Sequence, residues 1–188
     1  VVGTGDCEPR MCNANGEWDD RVRGVYNYFN NRKEVLNFWD HRVRLLRGSE
    51  VICTLGMRGK HDGPMEGVKT VAQYRDALVK VIHDQRKLLE AYYPEVTRVP
   101  QVFVPYKEVL EAYDAGLEVP DDVTLIWCDD NYGYVRHFPT IEEQRRAGGN
   151  GIYYHISYWG RPHDYLWLSS TSPALIVEQM TEAHHKVL

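Results

Sequence analysis

The chain has 188 residues, 43% of them hydrophobic and 26% charged, with a formal net charge of −5. That length is enough for one ordinary domain with a core of its own. The acidic balance and the lack of basic runs argue against a nucleic-acid or anionic-membrane partner, and no apolar run approaches the roughly 20 residues of a membrane helix.

The chain opens on "VVGTGDCEP", with neither Met nor a signal-peptide pattern, and reads like the end of a strand already under way. It is therefore expected to be a piece of a longer protein, with residues 1–188 forming a single partial domain. Gly3-Thr4-Gly5 resembles the start of a dinucleotide fingerprint, but the third glycine is missing and that reading is set aside. Candidate strands are Val1–Thr4, Val51–Gly56, Gln101–Val104, Val123–Cys128 and Gly151–Ile156. Their near-continuous Val, Ile and Leu content predicts strands buried on both faces, as in parallel sheets. Cys53 and Cys128 fall in two of them and read as buried free thiols. None of the four cysteines (Cys7, Cys12, Cys53, Cys128) has zinc-ligand spacing.

Helical patterns lie between the strands. Lys33–Arg47 puts Val35, Trp39, Val43 and Leu46 on one stripe, with Gly48 as a stop. Val68–Tyr92 repeats the pattern through Val71, Leu78, Ile82 and Leu89 and ends before Pro94, and Tyr106–Ala115 is closed by Gly116. Thr140 and Glu143 fit a capping box that opens a further helix, and Ser172-Pro173 opens the last one. The alternation predicts an α/β chain of about five consecutive βα units with parallel strands, a piece of a (β/α)8 barrel or of a doubly wound sheet.

Both architectures place functional groups on the loops after the carboxyl ends of strands. "LIWCDDNYGYVRHFP" shows the corresponding pattern, an apolar run that stops at Asp129, Asp130 and Asn131. The other strands end likewise: in Asp6 and Glu8; in Arg58, Lys60, His61 and Asp62; in Tyr106, Lys107 and Glu108; and in His155, Ser157, Tyr158 and Trp159. Gly56 and Gly59 around Arg58 would allow close backbone approach to a ligand, although a solvated loop with a surface Arg–Asp pair is the common alternative. Glu108 in a helix's first turn could simply complement the dipole, and a lone strand histidine is more often a core residue than a catalyst. His184 and His185, like Glu142, Glu143, Arg145 and Arg146, read as helix surface. Acids, an amide, a histidine and crowded aromatics together suit a sugar site, where rings stack on sugar faces and carboxylates perform acid/base cleavage.

At these residues a resemblance becomes specific. "CEPRMCNANGEWD", "GMRGKHDGPM", "VPQVFVPYKEVLEAY", "VTLIWCDDNYGYVR" and "GIYYHISYWGRPHDYLWLSS" closely resemble the xylan α-1,2-glucuronidases of glycoside hydrolase family 115, over nearly the whole chain. The resemblance implies a partial (β/α)8 TIM-barrel-like catalytic domain from a large multidomain protein. It implies removal of glucuronic acid, or its 4-O-methyl ether, from glucuronoxylan with inversion of configuration. By motif, Glu108 is assigned as general acid and Asp62 as general base, with an acid upstream of this stretch as the alternative base. Arg58, Tyr106, Lys107, Asn131, His155 and Tyr158 are assigned to substrate binding. Arg58 is a planar bidentate donor suited to a uronate carboxylate. No cofactor and no metal is expected. The implied partners are glucuronoxylan or its oligosaccharides and further domains of the same chain, and a polymeric substrate implies a secreted or periplasmic location. A non-catalytic sugar-binding homologue and another barrel hydrolase or lyase are the competing classes.

Overall fold

The computed structural model describes residues 14–60, 63–156, 158 and 171–187. Two single-turn helices come first, α1 (Ala14–Glu17) and α2 (Asp20–Arg23), the second capped by the Asp19 carboxylate accepting from Arg21 N. Then follow α3 (Arg32–Leu45), β1 (Cys53–Leu55), α4 (Val71–Tyr92), β2 (Gln101–Phe103), α5 (Glu108–Asp114), β3 (Thr124–Cys128), β4 (Asn150–Tyr153) and α6 (Pro173–Val187). Four of the expected strands are present, each shorter than its apolar run. The fifth, Val1–Thr4, lies outside the described residues.

The sheet is wholly parallel and its order is β1-β2-β3-β4, every strand beside its neighbour in sequence. A doubly wound sheet reverses direction at a switch point. This one proceeds in a single direction, as in a sector of a (β/α) barrel, so the partial barrel-like arrangement is the one of the two that forms.

The helices follow from their spacing. Val35, Phe38, Trp39 and Val43 form the buried face of α3, and Tyr74, Ala77, Leu78, Val81, Ile82, Gln85 and Leu89 that of α4. Thr70 Oγ1 caps α4 by accepting from Gln73 N at 3.2 Å. Val71, placed on the stripe by spacing, sits in the first turn and stays 40% exposed. The capping box at Thr140 forms in both directions, Thr140 N to Glu143 Oε2 at 2.7 Å and Glu143 N to Thr140 Oγ1 at 3.2 Å. It opens only one 3-10 turn, Glu143–Arg145, rather than the expected helix.

The expectation of strands buried on both faces holds for β1 alone. Burial alternates in β3 and is lost in β4, whose Tyr153 is exposed. Cys53 is buried, which pushes its thiol up to about 11, whereas Cys128 is only half-buried. Apolar runs alone do not distinguish a strand covered twice from one with a face still open. No helix among the described residues is long and apolar enough to cross a membrane.

Candidate active site

The loop after β1 is held from behind. Gln85 of α4 is fully buried and clamps Gly56 on both sides: Gly56 N donates to its Oε1 at 2.8 Å, and its Nε2 donates to Gly56 O at 2.7 Å. Tyr74 OH donates to Met57 O at 3.0 Å. Gly56 has φ 114°, open to glycine, and a Cβ there would meet the Phe103 ring at 3.3 Å. Gly59 packs on its own loop, where a Cβ would lie 2.5 Å from Pro64 O. The two glycines expected to admit a ligand thus admit protein, a phenyl ring and a backbone turn.

Arg58 follows this clamp and is only 2% exposed. Its Nε donates to Glu108 Oε1 at 2.8 Å and its Nη2 to Glu108 Oε2 at 3.2 Å, so a bidentate pair joins the ends of β1 and β2. The guanidinium edge expected to fork a substrate carboxylate is occupied by a protein carboxylate. His61 and Asp62, the candidate base among them, lie outside the described residues.

After β2 the chain makes a tight passage into α5. Lys107 takes φ 51°, a left-handed conformation uncommon for a residue with a Cβ, and directs Glu108 into the first helical position. Tyr106 is the hinge of the cluster. Its ring lies 5.4 Å from Arg58 Cζ and 4.8 Å from Lys107 Nζ, both within cation–π range. Its hydroxyl donates to Asn131 Oδ1 at 2.8 Å, which ties β2 to β3.

The two acids after β3 organise their own loop. Asp130 Oδ1 accepts from Tyr132 N and Tyr134 N, and its Oδ2 accepts from Arg136 Nε at 2.6 Å. Asp129 is turned inward, its side chain inaccessible to solvent. Its Oδ2 accepts from Asn131 N at 2.9 Å and Gly133 N at 3.3 Å, holding Asn131 at φ 71°. Its Oδ1 accepts from His155 N at 2.8 Å and faces His155 Nδ1 at 2.7 Å. Burial alone would raise the Asp129 carboxyl. The His155 ring, the His155 backbone N–H and the Asn131 N–H outweigh that and hold it below the ordinary 3.8. Three phenol rings surround His155, with centroids at 6.0 Å (Tyr106), 5.0 Å (Tyr153) and 5.1 Å (Tyr158).

Arg58, Tyr106, Lys107, Glu108, Asn131, His155 and Tyr158 are therefore brought onto one edge of the sheet and linked by the contacts above. Asp129 was named only as the end of an apolar run and was assigned no role. A D-x-N-x-G spacing, in which an Asp accepts from backbone N–H groups two and four residues on, was the signal that could have found it. Two residues expected on the surface are half-buried instead. Glu143 accepts from Tyr113 OH at 2.7 Å and contacts His137 Nε2 at 3.1 Å, while Arg146 Nη2 donates to the carbonyls of Val119, Pro120 and Val123. From the β3–β4 connection these side chains reach back to α5 and to the segment between α5 and β3. A groove at the opposite end of β1 and β2, lined by Val51, Tyr93 and Pro100, touches none of the cluster.

Chemically, the edge offers a carboxyl, an amide, an imidazole, an ammonium and several phenols, enough for polar recognition of a sugar and for proton transfer. Among the described residues no group of three or more His, Cys, Asp or Glu is placed to hold a metal ion. No curated protein matches the chain. A solved structure described as a novel family GH115 4-O-methyl-α-glucuronidase with specificity for decorated arabinogalactans matches with a TM-score of 0.92 and 59% sequence identity. The match covers 98% of this chain and 25% of that one, so the chain spans about a quarter of the solved relative's length. The family model described as glycosyl hydrolase family 115 matches residues 1–187. The chain belongs to glycosyl hydrolase family 115.

Proposed function

We propose that this chain is the partial catalytic barrel of an α-glucuronidase. The whole enzyme removes α-1,2-linked glucuronic acid, or its 4-O-methyl ether, from glucuronoxylan with inversion. What carries the reading is the linked strand-end cluster of Arg58, Tyr106, Glu108, Asn131, His155 and Tyr158 in a family 115 chain. Glu108 protonates the leaving sugar oxygen and Asp62 activates the water on the opposite face of the ring. Arg58 fixes the plane of the Glu108 carboxyl through Oε1 at 2.8 Å and leaves Oε2, the more distant oxygen at 3.2 Å, to carry the proton, while Lys107 supplies the exposed cation of the same loop for the uronate. Asn131, His155 and the tyrosines take sugar hydroxyls and faces. Other domains of the same protein complete the site, no cofactor takes part, and a polymeric substrate places the enzyme outside the cell or in the periplasm.

A second reading of the polymer is favoured by the solved relative, whose specificity is for decorated arabinogalactans. Uronic acid release from glucuronoxylan and from arabinogalactan, measured in parallel with the full-length protein, decides between them. The mechanism is tested in the same protein by Glu108→Gln, which keeps the shape and removes the transferable proton. Cleavage of the polysaccharide should fall by roughly 10²–10⁴-fold. An aryl glucuronide with an acidic phenol leaving group needs little protonation and should lose far less. Equal losses on both substrates would place the acid elsewhere, and unaltered activity would remove Glu108 from the chemistry.

A further inference from the structure

One buried carboxylate underlies both polar groups on the β3–β4 side of the cluster. Asp129 Oδ1 takes two donors from His155, the backbone N–H and the ring, and Oδ2 takes Asn131 N and Gly133 N. The carboxylate's acceptor sites are thus filled by four N–H groups, all inside the protein. An ionised carboxylate only accepts, so the imidazole nitrogen 2.7 Å from it must carry the hydrogen. That assigns the tautomer: Nδ1 is protonated, and Nε2 is the nitrogen left to meet a ligand. In the neutral ring Nε2 is then an acceptor, suited to a sugar hydroxyl that donates. The ring cannot rotate to reverse this without leaving Oδ1 short of a donor in a solvent-free place.

We propose that Asp129 is the positioning residue of this site: through one oxygen it holds His155 as the Nδ1–H tautomer with Nε2 for the substrate, and through the other it seats Asn131. This rests on the sugar-cleaving reading above but is tested apart from it. Asp129 touches no substrate. It acts through His155 on one side and, by way of Asn131, on the amide that Tyr106 holds at 2.8 Å on the other.

The first measurement needs no activity. In the full-length protein carrying ¹⁵N-histidine, with the His155 signals identified from a His155→Ala sample, long-range ¹H–¹⁵N correlation at about pH 8 should report Nδ1–H and a bare Nε2. An Nε2–H tautomer in the native protein would overturn the proposal whether or not the protein is a glucuronidase. Asp129→Asn can turn its amide N–H toward Nδ1 and so select the opposite tautomer. The second measurement is a double-mutant cycle on kcat/KM. Asp129→Asn alone should reduce it by roughly 10²-fold, mostly in kcat, and by less than about fivefold when added to His155→Ala. A full additional loss in the His155→Ala background would mean that Asp129 serves the fold rather than the histidine, and would reject the positioning role. Should Asp129→Asn fail to fold, the tautomer of the native protein still decides.

Discussion

The clamp behind the β1 loop gives a sharp test of how α4 supports the site. Gln85→Leu replaces a fully buried amide by an apolar side chain of similar size and leaves Gly56 N–H and Gly56 O, now bonded at 2.8 and 2.7 Å, without partners. A buried backbone group left unsatisfied costs about 1–3 kcal/mol. Two of them cost about 2–6 kcal/mol, against which the added apolar burial of leucine returns about 1 kcal/mol. The net local destabilisation is about 1–5 kcal/mol, or roughly 5- to 4000-fold at 1.4 kcal/mol per decade. Because the solved family 115 relative is about four times this chain's length, and melting of a protein of that size need not be two-state, the appropriate readout is local. Hydrogen exchange of a peptide covering residues 53–60 should speed up within that range while the β3–β4 peptides keep their protection. Arg58 lies two residues beyond Gly56, so polysaccharide turnover should drop with it. Exchange within about threefold of the native protein would show that the Gln85 amide contributes little and that the loop is held by Tyr74 and Phe103 instead.

Two further outcomes follow from the ion pairs. Arg58→Lys keeps the charge but loses the fork that now engages both Glu108 oxygens, at a cost of about 1.5–3 kcal/mol; if Arg58 acts through Glu108, steady-state kinetics should show the loss in kcat, whereas a loss confined to KM would return Arg58 to substrate binding. Asp84 of α4 accepts from Arg32 Nε at 2.8 Å and Nη2 at 2.7 Å. Burial raises the carboxyls of Asp84, Asp129 and Glu143, but Arg32, His155 and the Thr140 N–H respectively hold them below their ordinary values of 3.8 and 4.5. Depressed carboxylates add stability that is complete above the unfolded values and lost as pH falls through the folded ones. Stability measured against pH should therefore be insensitive to these groups above about pH 5 and decline below about pH 4, and a decline that instead begins near neutrality would contradict the assignment.

Much of the fold was legible because burial and helical spacing share one cause. The stripes through Val35, Trp39 and Val43 and through Leu78, Ile82 and Leu89 do face the core, and the apolar runs after Val51, Gln101, Val123 and Gly151 do pair in parallel. What spacing could not supply was the strength of a signal in context. Thr140 and Glu143 make their capping box with good geometry, yet the helix stops after one turn, and Glu143 also accepts from Tyr113 OH and contacts His137. Local hydrogen bonds specify how a helix begins. How far it continues is decided by the surfaces that it can bury, and those are not local.

The grouping of the candidate residues was legible for a different reason, and the same reason explains what escaped. Polar residues at the ends of apolar strands converge wherever parallel strands lie side by side, so Arg58, Glu108, Asn131 and His155 could be assembled from strand order alone. Strand order does not say which polar group faces solvent and which faces another polar group. Asp129 and Asp130 are adjacent and identical in chemistry. The strand alternation of β3 carries on through them, so that Asp129 continues the inward set of Leu125 and Trp127 while Asp130 continues the half-exposed set of Ile126 and Cys128. A period of two therefore decides that one acid salt-bridges an exposed arginine and the other becomes the buried anchor of a histidine. Strand order is equally silent on Arg58, which lies two residues beyond the clamped Gly56, is 2% exposed and is paired with Glu108 of the protein itself. An exposed carboxylate and a buried one are thus told apart by where they fall in the strand's alternation, not by their chemistry.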